Sequence, residues 1–308
     1  MIIKIDLKKA YDRLEWSFID KALEVWGFSM DFWWMIRSCV SSVNFSLLLN
    51  GTICGSFKPE RGIHEGDPLS PSLFILCFEF LTRILAKEEE QGWLHGIKVA
   101  HNAPAISHLM YADDLLIMCP AEAKIIKNCL HKYCSWSGQA LNADKSNILF
   151  SKSTPRSDRR LIRDTLGFRD MGSKAVYLGN SLVLGRNKTK EFFRLKEKVN
   201  CRLEGWNKHL LSKAGKATLI KSVLQAIPSY IMTTHLLPTG ICDDLDALVR
   251  KFWWKSNPKT SGYLALKAWK DICKPKDLGG LGFRRFKDIN LSLLAKLGWK
   301  LANREDCL

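Results

Sequence analysis

The sequence lacks the features that mark several classes of protein. No apolar run is long enough to span a bilayer, because the most apolar helix candidate, Ser72–Ala86, is short and contains Glu79 and Arg83. No secretory signal is expected, since charged residues from Lys4 onward interrupt the N-terminus before an apolar stretch develops. Repeats of fixed period and low-complexity tracts are also missing. We therefore expect no membrane anchor, no secretory signal and no solenoid.

The cysteines form no recognisable metal or disulfide pattern. There are 10 of them, but none stands in a Cys-x-x-Cys pair or in a zinc-like ladder with histidine. A chain of 308 residues is also too long to depend on a disulfide framework. We expect reduced core cysteines in an intracellular protein, located in the nucleus, the cytoplasm or both.

Negative charge is scarce in one half of the chain. The 47 Lys and Arg outnumber the 31 Asp and Glu, for a net charge of +16. Residues 1–150 carry a net charge of −2 and residues 151–308 a net charge of +18. A basic half of this size favours a polyanionic partner, with nucleic acid first and an anionic membrane surface second. A solvated basic helical surface is the alternative.

The length predicts two packed units, and the hydrophobic pattern predicts their classes. Apolar residues lead into Asp6 as a strand, and Ile106–Cys119 has the pattern of a strand, a turn and a strand. Helical spacing follows over Tyr11–Val25 and Ala123–Trp136. The alternation in residues 1–150 indicates an α/β or α+β layered unit, whereas the pattern after residue 190 is mostly helical.

Three carboxylates stand where this pattern brings strands together. Asp6 ends the first strand, and Asp113 and Asp114 lie in the middle of an otherwise apolar hairpin. If these strands are neighbours, the carboxylates meet at one sheet edge and repel each other unless cations bind between them. Two Mg²⁺ ions would relieve that repulsion and could activate a hydroxyl and stabilise a leaving oxygen. The alternative is that aspartates simply suit strand ends and turns.

Several segments resemble the motifs of reverse transcriptases, in the order found in that family. Ile5–Asp12 is similar to the first catalytic motif, Gly66–Pro71 to the second and Tyr111–Asp114 to the third. Ser137–Ser146 resembles the fourth motif and Tyr177–Gly179 the primer grip. The ordered set is far more specific than any single motif.

Two downstream segments extend the resemblance over essentially the whole chain. Phe252–Trp254 and Cys273–Phe283 are similar to the tail of polymerases from plant non-LTR retrotransposons of the long interspersed element type. The resemblance implies an RNA-directed DNA polymerase of α+β fold. It would have a polymerase palm (an antiparallel sheet with packing helices), followed by a mainly helical thumb and C-terminal region.

The resemblance also implies a catalytic site. Asp6, Asp113 and Asp114 would be the catalytic triad and, with the carbonyl of Leu7, the ligands of two Mg²⁺ ions, with Mn²⁺ as a possible substitute. Lys145 matches the position that protonates the leaving pyrophosphate, although a surface lysine explains it equally well. The residues that would contact the nucleotide are Tyr11, Glu65, Gly66, Asp67 and Pro68. Tyr11 matches the position that excludes a 2′-hydroxyl, and a core tyrosine is its alternative.

The expected partners are an RNA template, a DNA primer or RNA–DNA hybrid, and deoxynucleoside triphosphates, and no membrane. The primer and template would contact Tyr111, Tyr177, Leu178, Gly179, Arg194, Lys198, Lys213 and Lys216. The wider set of candidate phosphate contacts on the basic helices adds Arg186, Lys188, Lys190, Lys196, Arg202, Lys208 and Lys221. Only the members of this set on one helix face could serve.

Two departures from the family pattern limit the expected activity. Glu65 stands where the family has glutamine, and a carboxylate beside the incoming nucleotide would repel a triphosphate. The first motif begins at residue 2, so the fingers subdomain is missing and the chain is expected to be N-terminally truncated. We therefore expect the chain alone to be inactive or nearly so.

The predicted division is a palm over residues 1–150, a primer grip and basic thumb over 151–238, and a C-terminal helical connection region over 239–308. Two alternatives to the polymerase stay open, a noncatalytic nucleic-acid-binding relic of a mobile element and an RNA-dependent RNA polymerase. Tyr11 argues against the RNA polymerase. A protein that binds a membrane surface is a more distant alternative.

Overall fold

The chain folds into two compact units, Met1–Gly179 and Asn180–Leu308. The computed structural model describes residues 1–98, 100–101, 103–172, 175–183, 185, 188–206, 211–255 and 262–303. This division reflects packing and not function, so the predicted three-part division at residues 150 and 238 stays a prediction.

The first unit combines strands and helices. Its strands are β1 (Ile2–Ile5), β2 (Phe45–Leu49), β3 (Thr52–Phe57), β4 (Ile97–Lys98), β5 (Ala105–Ile106), β6 (His108–Tyr111), β7 (Asp114–Met118), β8 (Asn147–Leu149), β9 (Arg169–Asp170) and β10 (Val176–Tyr177). Its helices are α1 (Ala10–Arg13), α2 (Trp16–Val25), α3 (Met30–Ser41), α4 (Ser70–Glu90), α5 (Ala123–Ser137) and α6 (Arg156–Leu166).

A five-stranded sheet organises this unit, in the order β6-β7-β1-β8-β9. The pairs β6–β7, β7–β1 and β1–β8 are antiparallel, and β8–β9 is parallel. The first strand therefore lies at the centre of the sheet. Its alternate side chains Ile3 and Ile5 are fully buried in a core with Phe74 and Tyr133 of the helices α4 and α5. The predicted α+β class is confirmed.

The helix predicted over Tyr11–Val25 is interrupted. Leu14 has an extended backbone, with ψ of 117°, and separates α1 from α2. The backbone amide of Glu15 donates to the carbonyl of Ser137 at 3.0 Å. The chain leaves the helix here because its backbone bonds instead to the end of α5, a tertiary contact that hydrophobic spacing alone cannot reveal.

The second unit is mainly helical, as predicted. It contains β11 (Asn180–Ser181), α7 (Lys188–Trp206), α8 (Lys213–Leu219), a π-helix (Ile220–Leu224), α9 (Ser229–Met232), α10 (Thr239–Trp254), α11 (Trp269–Ile272), a 3₁₀ helix (Lys276–Leu278) and α12 (Phe286–Ala302). Its core joins apolar side chains such as Val199 of α7, Leu224 of the π-helix and Leu245 of α10. The last helix begins at Phe286.

Two other expectations can be compared with the described residues. No helix among them is long and apolar enough to cross a membrane. Nine cysteines are described, and all are free. The expectation of core cysteines is only partly correct, because Cys39, Cys54 and Cys201 are exposed whereas four others are buried. Cys307 lies outside the described residues.

Candidate active site

The strand register brings the predicted carboxylates to one edge of the central sheet. β1 and β7 pair with Ile5 opposite Leu115, so the next position in the same register sets Asp6 opposite Asp114. Cross-strand neighbours in such a ladder have Cβ atoms about 4.5–5.5 Å apart. β6 and β7 pair with Tyr111 opposite Asp114, which leaves Asp113 in the hairpin turn. The three aspartates thus share one end of the β1–β7 ladder.

Asp6 and Asp114 lie on the face of the sheet away from the core. Because side chains alternate along a strand, Ile3 and Ile5 fill the core while Lys4 and Asp6 project to the opposite, half-buried face. The amine of Lys4 lies 3.7 Å from the Asp114 carboxylate on this face. Sequence reasoning missed Lys4 as a site residue, although its position two residues before Asp6 indicates the same face.

Asp6 is held by the segment that resembles the fourth motif. The Asn142 side-chain amide donates to the Asp6 carboxylate at 3.0 Å. The Asn142 backbone amide donates to the Asp6 carbonyl at 2.8 Å, and the Asp6 amide donates to the Ser146 hydroxyl at 3.1 Å. Asn142 lies within the segment Ser137–Ser146, and its contact with the Asp6 carboxylate was not predicted from the sequence. Lys145, three residues later, has an exposed side chain.

The carboxylates do not yet converge on a single point. Among the described residues, no group of three or more His, Cys, Asp and Glu side chains lies close enough to hold a metal ion. Asp6 and Asp114 each have another partner, which is Asn142 for Asp6 and Lys4 for Asp114. These contacts satisfy two carboxylates that would otherwise face each other with like charge.

Tyr11 links the aspartates to the predicted nucleotide loop. Its ring stacks on Phe74, with centroids 4.9 Å apart and an interplanar angle of 14°. Burial raises the pKa of Tyr11, and the negative charges of Asp113 and Glu65 raise it further. Tyr11, Asp113 and Glu65 are therefore close enough to interact electrostatically, as a common site requires.

Backbone hydrogen bonds dock the start of this loop onto α1. The Ile63 amide donates to the Tyr11 carbonyl at 2.9 Å, and the Gly62 amide donates to the Leu14 carbonyl at 2.8 Å. A Cβ atom at Gly62 would lie 2.6 Å from the carbonyl oxygen of Asp12, so only glycine permits this approach. The loop is thus fixed directly beside Tyr11.

The rest of the loop is exposed and ends at α4. Gly66 has a φ of 97°, a conformation that favours glycine, and Glu65 and Pro68 are exposed. The carboxylate of Asp67 accepts from the Leu69 amide at 2.9 Å, which orders the turn before the helix. Helix α4 then begins at Ser70, with Leu69 as its N-cap.

The predicted primer-grip segment reaches the hairpin that contains Asp113 and Asp114. The hydroxyl of Tyr177 donates to the backbone carbonyl of Asp114 at 3.4 Å. Leu178 and Gly179 follow with positive φ of 47° and 81°, which turns the chain sharply. Tyr111, at the other side of the hairpin, is 66% exposed and available for contact.

The basic residues predicted to contact nucleic acid fall into two groups. Arg194 and Lys198 are exposed on α7, one turn apart. Lys213 donates to the Trp253 carbonyl at 2.8 Å, and the buried Lys216 donates to the Lys255 carbonyl, so both amines bind the C-terminal end of α10. A buried amine cannot contact a backbone phosphate, and the structure favours a packing role for Lys216.

The wider set of basic residues is also divided. Lys196 forms an ion pair with Asp244 at 2.8 Å and is not free for a phosphate in this arrangement. Lys188, Lys190, Arg202 and Lys221 are exposed. Arg186 and Lys208 lie outside the described residues.

Comparison with known proteins identifies the family. Residues 1–182 match the model of the reverse transcriptase (RNA-dependent DNA polymerase) family. This match covers more than half of the chain and all of the catalytic motifs. The chain belongs to the reverse transcriptase family, which confirms the resemblance seen in its motifs.

Individual relatives agree with this assignment. The chain is 28% identical over 196 residues to the retrovirus-related Pol polyprotein from type-2 retrotransposable element R2DM of Drosophila melanogaster, covering 62% of this chain and 17% of that protein. It is 40% identical over 117 residues to an Arabidopsis thaliana protein provisionally named a ribonuclease H protein, covering 38% of this chain and 19% of the relative. The chain thus spans less than a fifth of the length of either relative.

A more distant similarity concerns a solved structure. The structure of telomerase from Candida albicans, in complex with a fragment of telomeric RNA, covers 82% of this chain and 44% of the telomerase chain. The TM-score is 0.41 and the sequence identity 15%.

Proposed function

We propose that this chain is the catalytic part of an RNA-directed DNA polymerase. In this reaction the 3′-hydroxyl of a primer attacks the α-phosphate of a deoxynucleoside triphosphate, a new phosphodiester bond forms, and the bond to the β-phosphate breaks to release pyrophosphate. The observation that carries the proposal is the pairing of β1 with β7 up to Ile5 opposite Leu115. It sets Asp6 and Asp114 at one end of the ladder beside Asp113, within the segment that matches the reverse transcriptase family.

The residues at this edge fit divalent metal ions. Carboxylate and carbonyl oxygens are the ligands that Mg²⁺ prefers, and Mn²⁺ accepts the same set. Asp6 and Asp113 would be the principal ligands, with Asp114 and the Leu7 carbonyl completing the set. When bound, two ions would activate the attacking hydroxyl and stabilise the charge on the leaving oxygen.

The backbone pairing supports the role of the Leu7 carbonyl. Leu7 forms an antiparallel bridge with Leu141, in which Lys8 and Asp6 make the hydrogen bonds to the neighbouring segment. In such a ladder, the polar groups of the intervening residue point to the opposite side. The carbonyl of Leu7 is therefore directed toward the side of Asp113 and Asp114.

Lys4 and Asn142 contact two of these carboxylates. Lys4 offsets the charge of Asp114, and Asn142 donates to Asp6. Metal binding then requires these side chains to release the carboxylate oxygens. Both contacts are partly exposed, so each contributes only modestly and the rearrangement is inexpensive.

Tyr11 would select the deoxyribose of the incoming nucleotide. Its ring is fixed against Phe74, beside both Asp113 and the loop that begins at Gly62. A rigid ring in this position leaves no room for a 2′-hydroxyl. Replacing Tyr11 with alanine should therefore raise the incorporation of ribonucleotides relative to deoxynucleotides. If the chain were an RNA polymerase, the wild type would already prefer ribonucleotides.

Glu65, Gly66, Asp67 and Pro68 would border the triphosphate, and Lys145 would protonate the leaving pyrophosphate. The negative charge of Glu65 opposes triphosphate binding, and we therefore expect weak activity. Tyr111 and the segment Tyr177–Gly179 would hold the primer end.

Arg194 and Lys198 would contact the backbone of the RNA template or RNA–DNA hybrid. Of the other predicted contacts, Lys213 remains a weaker candidate because its amine already binds the Trp253 carbonyl.

Primer extension tests this proposal. The chain is incubated with Mg²⁺, a DNA primer annealed to RNA, and deoxynucleotides, beside the variants Asp113→Asn and Asp31→Asn. We expect weak extension by the wild type and by Asp31→Asn, whose aspartate is exposed on α3, and none by Asp113→Asn. Equal extension by Asp113→Asn would overturn the assignment of the catalytic site.

A further inference from the structure

The second unit contains a pocket that includes none of the residues proposed for the catalytic edge. Its volume is about 290 Å³, close to the lower end of the range of about 300–1,000 Å³ for small-molecule sites. The pocket lies between the end of α10 and the glycine-rich loop before α12. Its lining residues are Lys213, Trp253, Trp254, Lys267, Ile272, Gly279, Gly280 and Leu281.

The glycine-rich wall of this pocket has a fixed backbone. The Leu281 amide donates to the Ile272 carbonyl at 2.8 Å, and the Gly280 amide donates to the Pro275 carbonyl at 3.0 Å. A Cβ atom at Gly280 would lie 2.0 Å from the carbonyl oxygen of Lys274, so this close approach requires glycine. The wall is therefore built before any ligand binds.

Aromatic packing supports the opposite wall. The ring of Trp253 meets Phe283 edge to face, with centroids 5.2 Å apart. Trp253 and Phe283 are buried, whereas Trp254 is only half-buried and lines the pocket. With Ile272 and Leu281, Trp254 gives the pocket an apolar surface suited to a flat ring.

Two ammonium groups give the pocket a positive charge. Lys213 lies 4.8 Å from the ring centre of Trp253 and 5.2 Å from that of Trp254, and Lys267 donates to the Gly279 carbonyl at 3.4 Å. Each amine has three donors, so these contacts leave donors available. Among the described residues that line the pocket, none carries a carboxylate.

The pocket itself contributes no negative charge, and the carboxylate of Asp271 interacts with Lys267 from outside its lining. Burial lowers the pKa of Lys213, and the charge of Lys213 adds to burial in lowering the pKa of nearby Lys216. An anion in the pocket would relieve this repulsion. An apolar wall combined with two ammonium groups matches a ligand that joins an aromatic ring to a phosphate.

We propose that this pocket binds a nucleotide, with its phosphate on Lys213 and Lys267 and its base against Trp254 and Leu281. Phosphates bind ammonium groups, and bases stack on aromatic side chains with little dependence on sequence. The ligand is either a free nucleotide or one unit of a single strand, and both present the same base and phosphate. The site shares no residue with the catalytic edge and needs no metal ion.

The location of binding can be tested by fluorine NMR. The full chain is labelled with 5-fluorotryptophan, and the Trp254 signal is identified from its loss in Trp254→Phe. We expect titration with AMP, in the presence of a chelator, to shift the Trp254 signal. No shift at saturating AMP, or an equal shift with inorganic phosphate alone, would overturn the proposed base contact.

Matched lysine variants test the phosphate contact. Lys267→Ala removes a charge from the rim of the pocket, while Lys276→Ala removes one from the same exposed region outside the lining residues. We expect Lys267→Ala to weaken AMP binding by about tenfold and Lys276→Ala to leave it nearly unchanged. Equal weakening by the two variants would contradict a specific site.

The two sources of the ligand are separated by a short single-stranded RNA. Tighter binding of the RNA than of AMP, with the same sensitivity to Lys267→Ala, supports a nucleotide within a strand. Equal affinity for both supports a free nucleotide. The chelator prevents metal-dependent polymerisation, so a failure of AMP to bind would not contradict the polymerase proposal. Equally, a failure of primer extension would not contradict the proposed nucleotide pocket.

Discussion

At the scale of single residues, the proposed catalytic edge depends on how like charges are kept close together. Asp6 follows β1 and Asp114 begins β7 at the same end of their ladder, and close approach is unfavourable for two carboxylates. Asn142 and Lys4 relieve this repulsion, and both side chains lie on the half-buried face of the sheet. Divalent ions at this edge would relieve the same repulsion.

Glu65 is the residue whose substitution is expected to improve binding of the deoxynucleoside triphosphate. Replacing it with glutamine removes a negative charge from the loop beside Tyr11 while keeping a similar shape. We expect Glu65→Gln to lower the KM for deoxynucleotides by about threefold to tenfold, because Coulomb repulsion of the triphosphate is weakened. The KM is measured by primer extension, with Glu60→Gln in the same chain region as the control. An unchanged KM, or an equal decrease in the control, would contradict this role.

The aspartates could be predicted from sequence, but their partners could not. Strand ends and a hairpin turn follow from apolar patterning, and these fix where Asp6, Asp113 and Asp114 lie. The contact of Asn142 joins residues that are far apart in sequence, and no spacing rule predicts it. Lys216 was predicted from sequence to contact a phosphate, but its amine donates to the Lys255 carbonyl at the end of a neighbouring helix. A basic residue on a helix can therefore have a packing role that its sequence position does not reveal.

At the scale of elements, pairing and helix ends decide the local structure. The central strand was predicted from a short apolar run before Asp6, and its position between β7 and β8 explains why such a short strand is so well buried. The break between α1 and α2 could not be predicted, because it depends on the distant carbonyl of Ser137. Element types thus follow from patterning, whereas their ends depend on tertiary hydrogen bonds.

One buried carboxylate, that of Asp246, makes stability depend on pH. Asp246 of α10 is buried and accepts hydrogen bonds from the Trp269 indole and from the amide of Phe286, the first residue of α12. Burial raises the pKa of Asp246 to about 6, although these hydrogen bonds act in the opposite direction. Between the pKa of the unfolded chain and that of the folded chain, the folded chain therefore keeps a proton that the unfolded chain has lost.

The free energy of unfolding should fall as the pH rises from about 4 to about 6, by at most about 3 kcal/mol from this group. Asp246→Asn should remove this dependence, since the amide keeps the acceptor oxygen without the charge. The change is measured by urea unfolding across this pH range, with the exposed Asp31→Asn as the control. A pH dependence that survives in Asp246→Asn would contradict the assignment.

At the scale of the whole molecule, charge and architecture divide in a related way. The aspartates proposed to be catalytic belong to a first half with a net charge of −2. Helix α7 and the helices after it belong to a second half with a net charge of +18. Net charge predicted a polyanionic partner, but it could not distinguish a phosphate contact from an ion pair such as Lys196 with Asp244. Burial and side-chain geometry make that distinction.

The salt dependence of nucleic-acid binding tests the role of the basic half. Arg194 and Lys198 are one turn apart on α7 and exposed, so they can contact neighbouring phosphates. Replacing both with alanine should weaken binding to an RNA–DNA hybrid. The plot of log K against log salt should also become less steep, its negative slope shrinking in magnitude by about 2. The double variant Lys124→Ala and Lys127→Ala, on exposed positions of α5, is the matched control. Equal slopes for both double variants would contradict a binding role for α7.

Metal binding at the paired strands tests the central claim most directly, because it does not require turnover. Binding of Mn²⁺ to the full chain is measured by electron paramagnetic resonance, with a primed RNA template and a deoxynucleotide present. We predict that the wild type and the Asp31→Asn control bind Mn²⁺ tightly, and that Asp6→Asn and Asp113→Asn each lose at least one tight ion. Unchanged Mn²⁺ binding in both site variants would contradict the assignment of this edge as the catalytic metal site.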